Sequence, residues 1–164
     1  MPAYGGLMKN QKGFSLIELV LVVAVILIIS AIAVPSFIRS RMRANEASAV
    51  ASIRAIDTAA VTYSVSYPDL GFPATLNLLG GPDPCTASPI SACLVDDGIA
   101  QGAKGGYAFV WTGDGATPSI SYTVTGAPQA PGSSGQSMYC SDQTNLIHYD
   151  PLGAACTNAS PIMQ

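Results

Sequence analysis

The side chains with the plainest chemistry in this chain are four cysteines, Cys85, Cys93, Cys140 and Cys156. None forms a C-x-x-C pair, the spacings fit no zinc knuckle, and His148 is the only histidine. The thiols therefore point to disulfides rather than to a metal, and to a compartment outside the reducing cytosol. Four cysteines allow three connectivities. The local one is favoured, Cys85 with Cys93 and Cys140 with Cys156; a bridge closing a loop of roughly 15 residues adds about 3 kcal/mol in the chain-entropy picture, a useful amount for a loop with little core of its own.

Other candidate groups are weaker. Asp96, Asp97, Asp114 and Asp142 could contribute oxygen ligands to calcium, yet no EF-hand spacing appears, and solvated turn residues are the default reading. No cofactor is expected, calcium being the one alternative. His148 alternates with Ile147 and Tyr149 without a serine, cysteine or carboxylate constellation around it, which describes a structural or exposed histidine. Asn158-Ala159-Ser160 matches the glycosylation pattern but is followed by Pro161, and three residues match often by chance. Walker, G-x-S-x-G and H-E-x-x-H motifs are absent, so the sequence announces no catalytic pocket.

One more acid stands out by its surroundings. From Phe14 to Val34 the chain is apolar except for Glu18. These 21 residues would make a helix about 31 Å long, near the hydrocarbon thickness of a bilayer. A carboxylate at that depth costs on the order of 2.5–3.5 kcal/mol, so Glu18 should have a partner. No A-x-A-like cleavage site follows the run, so the segment is expected to stay on the mature protein. Lys9 and Lys12 precede the span while Arg39, Arg41 and Arg43 follow it. The charge count alone would place the following domain in the cytoplasm; the cysteines place it outside.

The remaining elements must position these groups. Pro35 predicts a kink or loosened turn rather than an end, because the helical pattern resumes. Ala49, Ile53, Ile56, Ala60, Tyr63 and Tyr67 form an apolar stripe, and Pro68 stops it. A helix from Phe14 to Tyr67 has 54 residues and is about 81 Å long. Beyond it the chain turns rich in Gly and Pro. Residues 68–104 read as a long connection with a short helix near Thr75–Leu79. Four strands are expected at 106–112, 119–126, 136–141 and 145–150, with an irregular tail pinned by Cys156. The fold class is α+β, with a small antiparallel sheet packed on the stripe. After Tyr67 there are seven aspartates and one lysine, a formal −6. Such a surface does not invite nucleic acid.

Lys12-Gly13-Phe14-Ser15-Leu16-Ile17-Glu18-Leu19, the apolar run and Pro35 resemble the N-terminal signature of the type IV pilin superfamily. The resemblance is strongest from Lys12 to about Tyr67. It implies the pilin fold, laid out as a leader at 1–13, a membrane and filament-core helix at 14–38 and an amphipathic helix at 39–67. An αβ-loop at 68–104, a sheet at 105–150 and a disulfide-bounded region at 140–164 complete it. It further implies that a membrane-embedded prepilin peptidase cuts between Gly13 and Phe14 and N-methylates Phe14. Glu18 would then pair with the Phe14 amine of a neighbouring subunit. The implied product is a homo-oligomeric helical filament, built by assembly machinery in the inner membrane from membrane-held subunits and exposed at the cell surface for motility, adhesion or DNA uptake. A pseudopilin of a type II secretion system shares the same N-terminal chemistry, and a membrane-tethered binding or enzymatic module is the alternative of another class.

Overall fold

Ala49, Ile53, Ile56, Ala60 and Tyr63 recur at alternating intervals of four and three, and in the computed structural model, which describes residues 13–163, all five are buried on one helix face. That helix, α1, spans Leu16–Ser66. It runs through Pro35 without a break. Tyr67, held out of the helix by Pro68, still donates its amide to the Tyr63 carbonyl at 2.9 Å, and its own carbonyl accepts from Leu70 and Gly71 to close the turn. The chain divides into two compact units, Met1–Phe37 and Ile38–Gln164. Every residue of the hydrophobic core belongs to the second.

In the second unit α1 is followed by a 3₁₀ turn at Leu76–Leu79, a short helix α2 (Asp97–Ala100) and five strands: β1 (Ala103–Lys104), β2 (Tyr107–Gly113), β3 (Tyr122–Pro128), β4 (Met138–Asp142) and β5 (His148–Asp150). The sheet is an antiparallel meander in the order β1-β2-β3-β4-β5. Alternation along β2 and β3 turns Tyr107, Phe109, Tyr122 and Val124 inward, where they join Ile53, Ile56 and Tyr63 in one core. Gly126 marks a close approach of helix and sheet. A Cβ there would lie 3.1 Å from the Phe109 ring and 3.3 Å from Ile53 Cδ1, so the absence of a side chain lets helix and sheet meet.

The sheet differs from the sequence expectation in its edges. The sequence predicts four strands and the described residues hold five, because β1 has two residues and too little length for any period to show. Residues 119–121 stay out of β3: the Ser119 amide goes to the Leu70 carbonyl, and those of Ile120 and Ser121 go to the Asp114 carboxylate. Asn145, at φ 59°, holds a turn, and β5 begins only at His148. The tail is less irregular than expected. Tyr149 donates to Pro161, Met163 donates to Ile147, and His148 bridges Ile162, so residues 161–163 cover the free edge of β5.

Candidate functional site

The first candidate is the apolar run. Its large side chains from Phe14 to Ile38 are exposed throughout, from 42% at Ile38 to 83% at Phe14. The helix is long and apolar enough to cross a membrane. A contiguous apolar surface of this extent marks a place for lipid or for another protein. Glu18 lies in the first turn of α1, the end at which the helix dipole favours an acid. It is exposed, and among the described residues the one ion pair is elsewhere, between Lys104 and Asp96. Phe14 stands just before α1. A Cβ on Gly13 would meet nothing within 4 Å, so folding places no demand for glycine at that position. Residues 1–12 of the expected leader lie outside the described residues.

The cysteines form two disulfides, Cys85–Cys93 and Cys140–Cys156. The first closes a small ring whose Ser88 and Ser91 exchange backbone hydrogen bonds at 2.9 and 3.0 Å, leaving Pro89 and Ile90 at the tip. Tyr63 fixes that ring to α1 by donating its hydroxyl to the Pro89 carbonyl at 2.7 Å. Gly81 makes room for it, since a Cβ there would fall 2.2 Å from Cys85 Sγ. The second bridge ties the tail to β4. His148 is buried beside it, with Nδ1 at 2.7 Å from the Ser160 carbonyl, a structural setting.

The candidate calcium ligands are spread over different turns. Asp96 caps α2 through the Ile99 amide and bonds Lys104 Nζ at 2.6 Å, a contact that holds its carboxyl below the usual range. Asp114 accepts from the amides of Ile120, Ala116 and Ser121, which press its pKa down strongly. Asp142 accepts from the Thr144 amide and hydroxyl and from Asn158 Nδ2. Asp97 is exposed. Among the described residues no three histidine, cysteine or acidic side chains group together.

Three polar side chains of α1, those of Asp57, Glu46 and Asn45, are not singled out by the sequence. Asp57 is 4% exposed and accepts from Ser141 Oγ at 2.7 Å and from the Tyr122 hydroxyl at 3.0 Å. Burial raises its pKa to about 6 despite those two donors, and burial together with Asp57 raises that of Tyr122. The signal was present: Asp57 stands four residues after Ile53 and three before Ala60, inside the apolar stripe. Glu46 accepts from the amides of Gln136 and Ser137, while Asn45 Nδ2 donates to the Ser134 carbonyl at 2.8 Å. These contacts hold the β3–β4 loop against the helix, and nothing local in the sequence advertises them.

Comparison with known proteins points to the same N-terminal segment. Residues 8–34 match the family model described as the prokaryotic N-terminal methylation motif. The chain is 49% identical over 39 residues to the type IV wide pilus major component PilA4 of Thermus thermophilus, covering 24% of this chain and 30% of that protein. It is 49% identical over 53 residues to a fimbrial protein of Pseudomonas aeruginosa, covering 32% and 34%. With the type IV major pilin protein PilA of Myxococcus xanthus it shares 44% identity over 50 residues, covering 30% and 23%. The matches thus span between about a quarter and a third of the length of these relatives. No solved structure matches the chain.

Proposed function

We propose, on the premise that this chain is a type IV pilin by its N-terminal segment and its α+β fold, that it is the structural subunit of a type IV pilus and not an enzyme. The observation that carries the reading is the exposed apolar run from Phe14 to Ile38 with Glu18 in its first turn. Before assembly the run is held in the inner membrane. In the filament, runs of neighbouring copies replace the lipid, and the second unit of each copy faces solvent at the cell surface.

Two chemical steps prepare the exchange. A membrane-embedded prepilin peptidase hydrolyses the peptide bond between Gly13 and Phe14, and the amine freed at Phe14 is then N-methylated. The lack of any packing demand for glycine at position 13 supports recognition, rather than folding, as the reason for that residue. Processing would create a cationic amine four residues from Glu18, at the same end of the apolar run. An isolated carboxylate in hydrocarbon is costly, and a Glu18 that meets the Phe14 amine of a neighbouring copy relieves that cost. The pairing therefore favours transfer from membrane to filament and sets the register in which copies add. Assembly machinery in the membrane supplies the work, and the finished fibre serves motility, adhesion or DNA uptake.

The test combines mass and morphology. Surface material sheared from cells should contain long fibres reactive with an antibody to the second unit, and their subunit should have the mass of a methylated chain beginning at Phe14. A Gly13 variant with a bulky side chain should keep the leader. Surface protein of unprocessed mass in the wild type would refute the cleavage step, and processed protein without fibres would refute the pilus.

A further inference from the structure

One hydroxyl of the core faces two acceptors and has a single hydrogen to give. The Tyr122 hydroxyl on β3 lies 3.0 Å from Asp57 Oδ1 and 3.3 Å from Asn145 Oδ1. A carboxylate and an amide carbonyl bring no hydrogen of their own to these contacts. Ser141 Oγ, at 2.7 Å, already serves the other oxygen of Asp57. The row of three groups is therefore one proton short unless Asp57 carries it or the Asn145 amide turns end for end. Both remedies are open. Burial first, and then the charge of Asp142 on β4, raise Asp57 to a pKa of about 6 against the pull of its two hydroxyl donors. Asn145 is exposed on the turn before β5, at φ 59°, so its amide is free to exchange ends. It lines a cavity of about 510 Å³ together with Asp57, Thr58, Val61 and Thr62, and Arg54, three residues before Asp57 on α1, brings a positive charge to the same wall.

We propose that Asp57, Tyr122 and Asn145 form a proton relay between the core and this cavity. With Asp57 protonated, its Oδ1 hydrogen is donated to the Tyr122 oxygen, Tyr122 donates to Asn145 Oδ1, and Asn145 Nδ2 is turned to the cavity. This is the arrangement the structure holds, with Oδ1 toward the phenol. With Asp57 ionised, Tyr122 donates to the carboxylate, and the Asn145 amide exchanges ends, so that Nδ2 donates to the Tyr122 oxygen and Oδ1 is turned to the cavity. One proton enters or leaves at Asp57, the phenol hydrogen swings from one neighbour to the other, and every donor and acceptor in the row is matched in both states. The polarity of the cavity wall at Asn145 is thereby set by pH, an N–H donor in acid and a carbonyl acceptor at neutrality. All the groups belong to the second unit, and the relay goes beyond the filament reading without depending on it.

The experiment follows the Asn145 side-chain amide and the Asp57 carboxyl carbon by NMR in the full chain in detergent, from about pH 4 to about pH 8. Both signals should move with one midpoint, near 6, and cross-relaxation between the Asn145 Nδ2 hydrogens and the Tyr122 ring should strengthen as Asp57 ionises. Asp57→Asn keeps the acid arrangement, with its Nδ2 donating to Tyr122 and its Oδ1 accepting from Ser141, so Asn145 should hold its low-pH signal across the range. In Tyr122→Phe the link is cut: Asp57 should still titrate while Asn145 stays fixed. An Asp57 that does not titrate in this range, or an Asn145 signal that stays constant while Asp57 titrates in the wild type, would overturn the relay. So would an Asn145 that titrates in Asp57→Asn, or one that follows Asp57 equally in Tyr122→Phe, which would assign its response to the field of the carboxylate. The wild-type cross-relaxation decides that last point even if Tyr122→Phe does not fold, because a field effect shifts the signal and leaves the amide unturned; cross-relaxation constant with pH would refute the exchange of ends.

Discussion

Asp57 is an acid on a helix face that otherwise buries Ile53, Ile56 and Ala60, and its two hydroxyl donors belong to strands β3 and β4. Its pKa of about 6 in the folded chain stands above the ordinary 3.8, so between those values the folded state binds the proton and the unfolded state does not. The contribution of this group is therefore complete below about pH 4 and is lost as pH rises through 6, by at most about 3 kcal/mol. Asp96, Asp114 and Asp150 act in the opposite sense. Held below their ordinary values by Lys104 or by loop amides, they stabilise the fold above that value and stop doing so as pH falls. Thermal unfolding of the detergent-solubilised protein should thus show its highest midpoint in mildly acid solution. Asp57→Asn should flatten the decline between pH 4 and 6, and an unchanged decline in that variant would remove Asp57 as its source. Glu18 makes the other single-residue prediction. Glu18→Val deletes a carboxylate whose insertion costs on the order of 2.5–3.5 kcal/mol, so the variant should enter membranes at least as well as the wild type. Under the proposed pairing it should nevertheless yield few fibres by electron microscopy, because the acid proposed to meet the Phe14 amine is gone; a normal yield would end the pairing idea.

The two disulfides differ in what they hold. Cys85–Cys93 spans 8 residues and is already braced by the Ser88–Ser91 backbone pair and by Tyr63, whereas Cys140–Cys156 spans 16 and anchors the tail that covers the β5 edge. In the chain-entropy picture the longer bridge contributes about 3 kcal/mol and the shorter slightly less. Replacing Cys140 and Cys156 together by alanine should lower the urea midpoint more than replacing Cys85 and Cys93. It should also speed amide exchange at Tyr149 and Met163, whose backbone bonds join β5 to the tail. Equal losses from the two double variants, with exchange unchanged, would contradict this division of labour. The elements readable in sequence were those with a long period or a strong stop: α1, whose stripe and Pro68 define it, and the cores of β2 and β3. The edges were not, for physical reasons. A two-residue strand such as β1 carries no alternation. Residues 119–121 have strand-like composition, but Leu70 and the Asp114 carboxylate take their amides from the ladder, and only the assembled fold brings those partners together. Within the candidate site, Glu18 was conspicuous because an acid in a uniformly apolar run breaks the pattern. Asp57 adjoins the stripe at the position after Ile56, where a single acid on a helix reads as a solvated side chain until β3 and β4 supply Tyr122 and Ser141, while the roles of Glu46 and Asn45 depend on a loop about 90 residues away in sequence.

At the scale of the molecule, burial and exposure fall on opposite sides of one boundary. The hydrophobic core, from Ala49 to Ile147, lies wholly within Ile38–Gln164, together with both disulfides and the sheet. The described residues up to Phe37 contribute no buried residue to it and keep their apolar side chains exposed. The folding of the second unit therefore has no need of the first, whose apolar surface requires lipid, detergent or other copies instead. A chain beginning at Ile38 should be soluble without detergent and monomeric, and should melt within a few degrees of the full chain measured in detergent. Under the filament reading it should also fail to enter fibres made by the full chain, because it lacks the run proposed to replace lipid there. Calorimetry and sedimentation decide the first part, and immunogold labelling of mixed fibres the second. A truncated chain that is unfolded would show that the first unit contributes to folding, and one that incorporates into fibres would move the assembly surface from the apolar run to the second unit.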